Sequence, residues 1–132
     1  MSPRPGWVAG KGELLRAYRK YVGLSLRGFA VQCGIKEKSL LDMEVGRRDI
    51  PEGVFDTVES VMERFDAEVE QTIAQAEQML EDNPEGVVEF RVTDEPDEDW
   101  VRAVIGRAAV TSGLIVPILD GTYHARREDR AG

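Results

Sequence analysis

The 132-residue sequence predicts a mainly α-helical fold with a small β element. Between residues 11 and 50, glycines separate three short segments in which apolar residues recur at helical intervals. One long amphipathic pattern then runs from about Glu52 to Asp82. After it, two short segments with strand character flank one more helical segment. These observations predict an N-terminal bundle of short helices, a long connecting helix and a C-terminal α+β region.

The three short helices are predicted from the residues that begin and end them. Gly23 is placed to end the first helix, Ser25 is a good N-cap for the second, and Gly34 breaks the second. Gly46 closes the third helix. The residues expected to face inward are Leu14, Leu15, Tyr18, Val22, Leu26, Phe29, Ala30, Leu40 and Met43.

The long helix also has residues suited to its two ends. Pro51 fits the first turn of a helix, where its missing N–H has no partner to lose. Asn83-Pro84 ends the pattern. The apolar residues recur at steps of three or four, and the opposite face carries mostly acidic and amide side chains.

The C-terminal region predicts two strands and one helix. Residues 86–92 alternate apolar and polar side chains, as in a half-buried strand. A helix led by Trp100 ends at Ser112-Gly113. Residues 114–119 then form a short apolar strand that Pro117 confines to a sheet edge.

The two ends of the chain lack such patterns. Residues 1–10 contain two prolines and two glycines, which predicts a flexible arm. Residues 122–132 have no apolar period, which predicts a disordered tail.

Charge is distributed unevenly along a chain whose net charge is −8. Residues 1–50 hold ten basic and five acidic residues, whereas residues 51–99 hold two basic and seventeen acidic residues. We therefore expect only the N-terminal part to approach a polyanion such as nucleic acid.

The cellular location of the protein is predicted from segments and residues that the sequence lacks. No apolar run approaches the length of a membrane span, and the N-terminal residues lack the apolar core of a secretion signal. Cys33 is the only cysteine, which excludes an internal disulfide and fits a reducing compartment. We expect a cytoplasmic protein with no membrane partner.

The residues needed for catalysis or metal binding are scarce. His124 is the only histidine, so a catalytic triad cannot be assembled within one chain, and Cys33 is expected to be a small buried residue. Asp94, Asp97 and Asp99 lie in a loop without the spacing of a calcium-binding hand. No glycine-rich phosphate loop follows a strand. The sequence predicts no enzymatic activity, no metal and no cofactor.

The strongest motif is Leu26-x3-Ala30-x3-Gly34, followed by Leu40-x2-Met43. Ala30 is small where two helices pack, and Gly34 occupies a tight turn in which a Cβ would be costly. Leu40 and Met43 anchor the next helix so that its N-terminal residues can enter a DNA major groove. This is the spacing of a helix-turn-helix. A generic helical bundle with the same spacing by chance is the alternative.

Over about residues 13–65 the sequence resembles the Cro/phage-repressor-like, or Xre-type, helix-turn-helix family. The resemblance rests on the motif above, on Gly23-Leu24-Ser25 before it and on Glu44-Val45-Gly46-Arg47-Arg48 after it. Asp49-Ile50-Pro51, followed by a long helix, a strand, a Trp-led helix and an apolar segment, is similar in layout to two-domain anti-CRISPR-associated phage regulators. A related group of uncharacterised bacterial proteins shares that layout.

The resemblance implies two functional regions along the chain, one for DNA binding and one for dimerisation. Residues 11–65 would form the helix-turn-helix DNA-binding domain, and residues 66–121 would contain the rest of the long helix and an α+β dimerisation region. A dimer of this kind represses its own operon at an inverted repeat.

The resemblance also implies roles for individual residues. Those expected to face the floor of the major groove are Lys36, Glu37, Lys38, Leu41 and Asp42. Those expected near phosphates are Ser25, Arg27, Lys36, Arg47 and Arg48. A basic face on the first helix would comprise Lys11, Arg16, Arg19 and Lys20.

The acidic residues of the third helix bear on these roles in different ways. Glu37 or Asp42 can accept a hydrogen bond from cytosine N4. Asp42 can instead pair with Lys38 one helical turn away, in which case it contacts no base. The resemblance implies a structural role for Glu44.

The long apolar stripe has two interpretations. It can pack against residues 86–119 of the same chain, or it can form a two-fold interface with a second copy. The three short helices and the first turns of the long helix already close a core of their own, so the remaining stripe needs a cover, which favours a homodimer. The residues predicted for dimerisation are Phe65, Val69, Ile73, Leu80, Phe90, Trp100 and Ile105.

Two functions follow from these patterns. The first is a sequence-specific, DNA-binding transcriptional regulator, a repressor with an autoregulatory role that binds an inverted repeat as a dimer. The alternative is a protein-interaction module, antitoxin-like or a phage decoy, whose acidic body binds a basic partner with little DNA binding.

Overall fold

The structure, a computed structural model, describes residues 7–8 and 10–120. It is mainly helical with a small β element, which confirms the fold class in its general form. The chain forms two compact units, Met1–Phe65 and Asp66–Gly132. The predicted disordered tail, residues 122–132, lies outside the described residues.

The first unit contains three short helices and the start of a long one. Helix α1 spans Gly12–Val22, α2 spans Leu26–Cys33, and α3 spans Glu37–Glu44. Helix α4 spans Glu52–Met79 and so crosses into the second unit. Gly23 and Gly34 are the C-caps of α1 and α2, as predicted. The C-cap of α3 is Val45, one residue before the predicted Gly46, and α4 ends three residues before the predicted Asp82.

The core of the first unit lies among these helices. Its buried apolar side chains are Leu15, Val22, Leu24, Phe29, Ala30, Cys33, Leu40, Met43, Ile50, Val58, Val61 and Phe65. Gly12 lies at the close approach of α1 to the end of α3. A Cβ there would lie 2.5 Å from the carbonyl oxygens of both Met43 and Glu44. Only a residue without a side chain leaves room for this contact.

A short antiparallel ribbon joins the N-terminal residues to the start of α4. Strand β1, Trp7–Val8, pairs with β2, Ile50–Pro51, in the register Trp7↔Pro51 and Val8↔Ile50. The prediction of a flexible arm over residues 1–10 is therefore wrong for Trp7–Val8. Residues 1–6 and 9 lie outside the described residues. Pro51 is the last residue of β2, and α4 begins at the next residue. Pro51 therefore lies just before the first turn of α4, and not within that turn as the sequence predicts.

The second unit combines the C-terminal half of α4 with two parallel strands and a helix between them. Strand β3 spans Val88–Thr93, α5 spans Asp99–Ser112 and β4 spans Ile115–Asp120. A 3-10 turn, Pro96–Glu98, precedes α5. Gly113 ends α5 as predicted. The strands are displaced by one or two residues from the predicted ranges.

The core of the second unit is formed by one face of each element. In β3, Val88 and Val92 are buried whereas Glu89 and Arg91 are exposed, so the predicted alternation is confirmed. The other buried apolar residues of this unit are Val69, Ala76, Leu80, Val104, Ala108 and Ile115. Among the described residues, none of the helices is both long enough and apolar enough to cross a membrane.

Candidate nucleic-acid interface

Helix α3 is held to the first unit along one side and open to solvent along the other. On the inner side, Leu40 and Met43 are 0% and 3% exposed. Glu37, Lys38 and Leu41 lie on the outer side and are exposed. Residues three and four apart share a face of a helix, so the anchored and open sides follow directly from the spacing of the sequence. The open side offers a cation, a carboxylate and an apolar side chain.

The turn between α2 and α3 is centred on Gly34. Its φ of 68° lies in the left-handed region, which glycine adopts without steric cost. The N–H of Ile35 donates to the carbonyl of Ala30 at 3.0 Å and so completes the end of α2. Lys36 then occupies the N-cap position of α3 in an extended conformation, and its side chain is exposed.

Ser25 and Arg27 lie at the start of α2. The hydroxyl of Ser25 accepts a hydrogen bond from the N–H of Gly28 at 3.0 Å, which makes Ser25 the N-cap predicted from the sequence. Arg27 is exposed in the first turn. The positive end of a helix dipole favours an anion there, so the serine and the arginine suit the approach of a phosphate.

Asp42 pairs with the segment that follows α3. The Nε of Arg47 donates to Oδ1 of Asp42 at 3.1 Å, and its Nη2 lies 3.0 Å from the same oxygen. The partner of Asp42 is therefore Arg47, and not Lys38 as in the alternative that the helical spacing offered. The side chain of Asp42 is 24% exposed and that of Arg47 is 64% exposed. Hence the carboxylate is covered by a guanidinium that still faces solvent.

Arg48 is also positioned by α3. Its Nη1 donates to the hydroxyl of Ser39 at 3.0 Å, and Arg48 remains exposed. The two arginines that follow the helix are thus tied to its side chains. Of the nine residues predicted for DNA binding, two lie at the start of α2, five on or at the start of α3, and two just after it.

The position of Arg19 contradicts one prediction, and the position of Glu44 supports another. The guanidinium of Arg19 makes two hydrogen bonds to the carboxylate of Glu44, at 2.9 and 3.1 Å, and a third to the carbonyl of Leu24 at 3.2 Å. The side chain of Arg19 is 12% exposed, so its assignment to a basic surface face is wrong. Glu44 has the structural role expected of it. The burial of Arg19 could have been predicted from the sequence, because Arg19 lies four residues after Leu15 and so on the same, buried face of α1.

The residues predicted for dimerisation fall into two groups. Phe65, Val69 and Leu80 are 1%, 7% and 8% exposed within the single chain. Phe65 packs edge-to-face on Tyr21, with ring centroids 6.2 Å apart. Such side chains have little surface left for a second copy, so for them the interpretation as core of the same chain fits the structure better.

The other dimerisation residues are half-buried in the second unit. Ile73, Phe90, Trp100 and Ile105 belong to this group. The indole N–H of Trp100 donates to Oε1 of Glu68 at 3.1 Å, which joins the start of α5 to α4. Phe90 and Ile105 line a cleft of about 370 Å3 between α4, β3 and α5.

Cys33 lies at the end of α2 and is 8% exposed. Burial raises the pKa of its thiol from 9.0 to about 11, although the nearby charge of Arg64 acts in the opposite direction. The thiol is therefore protonated at neutral pH, as expected of a packing residue and not of a nucleophile.

The described residues contain no group of three or more histidine, cysteine, aspartate or glutamate side chains placed to share a metal ion. No model of a known protein family matches the sequence, and the curated proteins include no significant match to it.

Proposed function

We propose that this protein is a sequence-specific DNA-binding regulator of transcription in which α2 and α3 form a helix-turn-helix. The observation that carries the proposal is the two-sided arrangement of α3. Leu40 and Met43 anchor one side, while Lys38 and Leu41 present a donor and an apolar group on the other. Side chains of this kind contact base edges in a major groove.

Phosphate contacts in the proposed complex come from both ends of this surface. Ser25 and Arg27 lie at the start of α2, and Arg48 is an exposed residue just beyond α3. Contacts of this kind set the register of a protein on DNA without selecting a sequence. Arg47 plays a second part, because it neutralises Asp42 at a place where an uncompensated carboxylate would repel the DNA backbone.

The resemblance in layout extends the proposal to repression. A cytoplasmic dimer that binds an inverted repeat in its own control region would shut off its own operon. In that case, nuclease footprinting upstream of its reading frame should show two half-sites about one helical turn, 34–36 Å, apart.

The test of DNA binding is a fluorescence anisotropy titration of duplexes from that upstream region, repeated over a series of salt concentrations. Arg48→Ala should weaken binding to specific and unrelated duplexes alike and reduce the slope of log affinity against log salt by about 1. Lys38→Ala should change the preference among operator variants, with a cost of about 1–3 kcal/mol on the preferred sequence.

Arg102→Ala is the matched control. Arg102 is exposed on α5, in the other unit, and its loss removes the same charge. Affinity and salt slope should therefore stay at the wild-type values. Absence of binding to every upstream fragment at low salt would reject the proposal.

A second candidate function rests on the charge of the second unit. Residues 66–120 hold fourteen acidic and three basic residues, and twelve of the acidic residues are exposed. In this candidate function the protein is an interaction module, antitoxin-like or a decoy, that binds a basic protein through this surface. The same titration separates the two, since this candidate requires little or no DNA binding by the first unit.

A further inference from the structure

The backbone of β3 has an inner edge, which faces β4, and an outer edge, which faces away from it. The N–H of Val88 donates to the carbonyl of Leu114 at 2.8 Å, in a parallel register that pairs Val88 with Ile115. In a parallel pair, alternate residues direct their N–H and C=O groups to the neighbouring strand. The even-numbered residues of β3 therefore face β4, and Glu89, Arg91 and Thr93 face the other way. Within the described part of the chain, β4 is the only strand that pairs with β3.

The outer edge of β4 is different. By the same alternation, Pro117 directs its backbone away from β3, so it costs the sheet no hydrogen bond. On the outer edge, however, the missing N–H of Pro117 removes a donor that a further strand would need. The sheet therefore has one edge protected by proline and one that can accept another strand.

The cleft described above lies along the open edge. Its apolar lining includes Phe90 from β3 and Val101, Val104 and Ile105 from α5, and α4 forms the remaining wall. The sheet beside the cleft has only two strands, and α5 packs against both of them. A cleft with apolar walls next to a strand edge leaves room for a further strand.

We propose that a second copy of this chain fills that space by pairing its β3 antiparallel with β3. The two-fold axis passes beside Phe90, and the two small sheets become one sheet of four strands. Glu89 then lies opposite Arg91 of the second copy, and Arg91 opposite its Glu89. Because both residues direct their backbone groups outward, this register allows them to exchange both hydrogen bonds of an antiparallel pair.

Charge selects this register from those that the backbone permits. A shift in one direction places Arg91 opposite Arg91 of the second copy, and a shift in the other places Glu89 opposite Glu89. Directly opposed like charges destabilise an antiparallel pair, and opposite charges stabilise it. Arg91 is available for this contact, since its side chain is 73% exposed and its ion pair with Asp120 spans 3.8 Å.

The apolar side of the same strands completes the interface. Phe90 lies on the helix-facing side of β3 and is half-buried. At the two-fold axis it would meet Phe90 of the second copy in a non-hydrogen-bonded pair, where the Cα atoms approach to about 4.5 Å. The two rings would cover Val101, which is 51% exposed in the single chain. Of the residues predicted for dimerisation, Phe90 and Ile105 belong to this interface. The buried Phe65, Val69 and Leu80 remain in the core of their own chain.

The register can be tested by exchanging charges in the full-length chain, with the dimer dissociation constant measured by sedimentation velocity in the absence of DNA. Glu89→Arg leaves only arginines in the pair, and Arg91→Glu leaves only glutamates. Each variant alone should dimerise about tenfold more weakly than wild type or worse. An equimolar mixture of the two should regain wild-type affinity as a heterodimer, and the double variant E89R/R91E should regain it as a homodimer.

Arg102→Glu is the matched control, because it makes the same change of charge at an exposed position of α5. It should leave the dissociation constant unchanged. Rescue by mixing also shows that both single variants are folded. A monomeric wild type at all concentrations, as expected if another segment or protein occupies the edge, would overturn the proposal, and so would failure of the mixture to associate. No DNA is present, so this result is independent of the test of DNA binding.

Discussion

Arg19 of α1 and Glu44 of α3 form a two-pronged ion pair in the interior of the first unit. The contacts measure 2.9 Å from Nε to Oε2 and 3.1 Å from Nη2 to Oε1, and the side chains are 12% and 3% exposed. The cost of removing both charges from water offsets much of their attraction, so the intact pair contributes little net stability. It does fix how α3 lies against α1, and α3 is the helix that we propose enters the groove.

Removal of one partner should be costly. Glu44→Ala leaves the Arg19 guanidinium buried without a counter-charge, so we expect the free energy of unfolding to fall by about 3–5 kcal/mol. Chemical denaturation followed by far-UV circular dichroism measures the change. Glu13→Ala is the control, since it removes an 82%-exposed partner of Arg16 whose pair contributes about 0–1 kcal/mol. Equal losses in the two variants would contradict this account of Glu44.

The contact of α1 with the end of α3 predicts a second effect on stability. In Gly12→Ala the new methyl group would meet two backbone carbonyl oxygens at 2.5 Å, so the helices must move apart. We expect a loss of about 1–3 kcal/mol, visible as a lower midpoint of thermal unfolding. Gly53→Ala, in the first turns of α4, meets nothing within 4 Å and should be neutral or stabilising by up to about 1 kcal/mol. A Gly12→Ala variant as stable as Gly53→Ala would refute the close approach.

The ion pair between Asp42 and Arg47 predicts coupling in DNA binding. Arg47→Ala removes a cation and also exposes the carboxylate of Asp42, so it should weaken DNA binding more than Arg48→Ala does. Asp42→Asn in the Arg47→Ala background should recover about fivefold in affinity, because a charge pair at the surface is worth about 1 kcal/mol. Anisotropy titrations of the single and double variants measure this coupling. Purely additive effects would mean that Asp42 does not act through Arg47.

The raised pKa of Cys33 predicts a dependence of stability on pH. In the unfolded chain the thiol ionises near its ordinary pKa of 9.0, whereas in the folded chain burial raises that pKa to about 11. The contribution to stability is therefore fully present below pH 9 and is lost as the pH rises from 9 to 11. Denaturation midpoints of wild type and Cys33→Ala between pH 7 and 11 measure it, and only wild type should show this loss. Parallel curves would reject it.

Cys33 should also be protected from alkylation at neutral pH. The thiolate is the reactive form of cysteine. In the native chain little of the Cys33 thiol is ionised at neutral pH, and the residue is 8% exposed. Iodoacetamide should modify native protein far more slowly than protein in denaturant, with mass spectrometry as the measurement. Comparable rates in the two conditions would show that α2 opens readily at its end.

Most of the secondary structure could be predicted because its signals are local. Ser25 begins α2 and Gly34 ends it through hydrogen bonds to residues within one or two turns, so a short window of sequence contains the whole cause. The alternation of β3 and the glycine after α5 are local in the same sense. The anchored and open sides of α3 follow from its helical repeat, and with them the positions of Lys38 and Leu41.

Which distant groups meet depends on how the helices and strands pack. Arg19 and Glu44 are 25 residues apart, and composition alone placed Arg19 on a basic surface. Trp7–Val8 forms a strand because Ile50–Pro51 lies beside it and pairs with it. Asp42 pairs with Arg47 because the chain turns after α3. Charged side chains and strand edges accept many partners of similar energy, so the choice depends on which of them the packed helices bring within reach. Apolar periodicity specifies each element, but packing specifies its contacts.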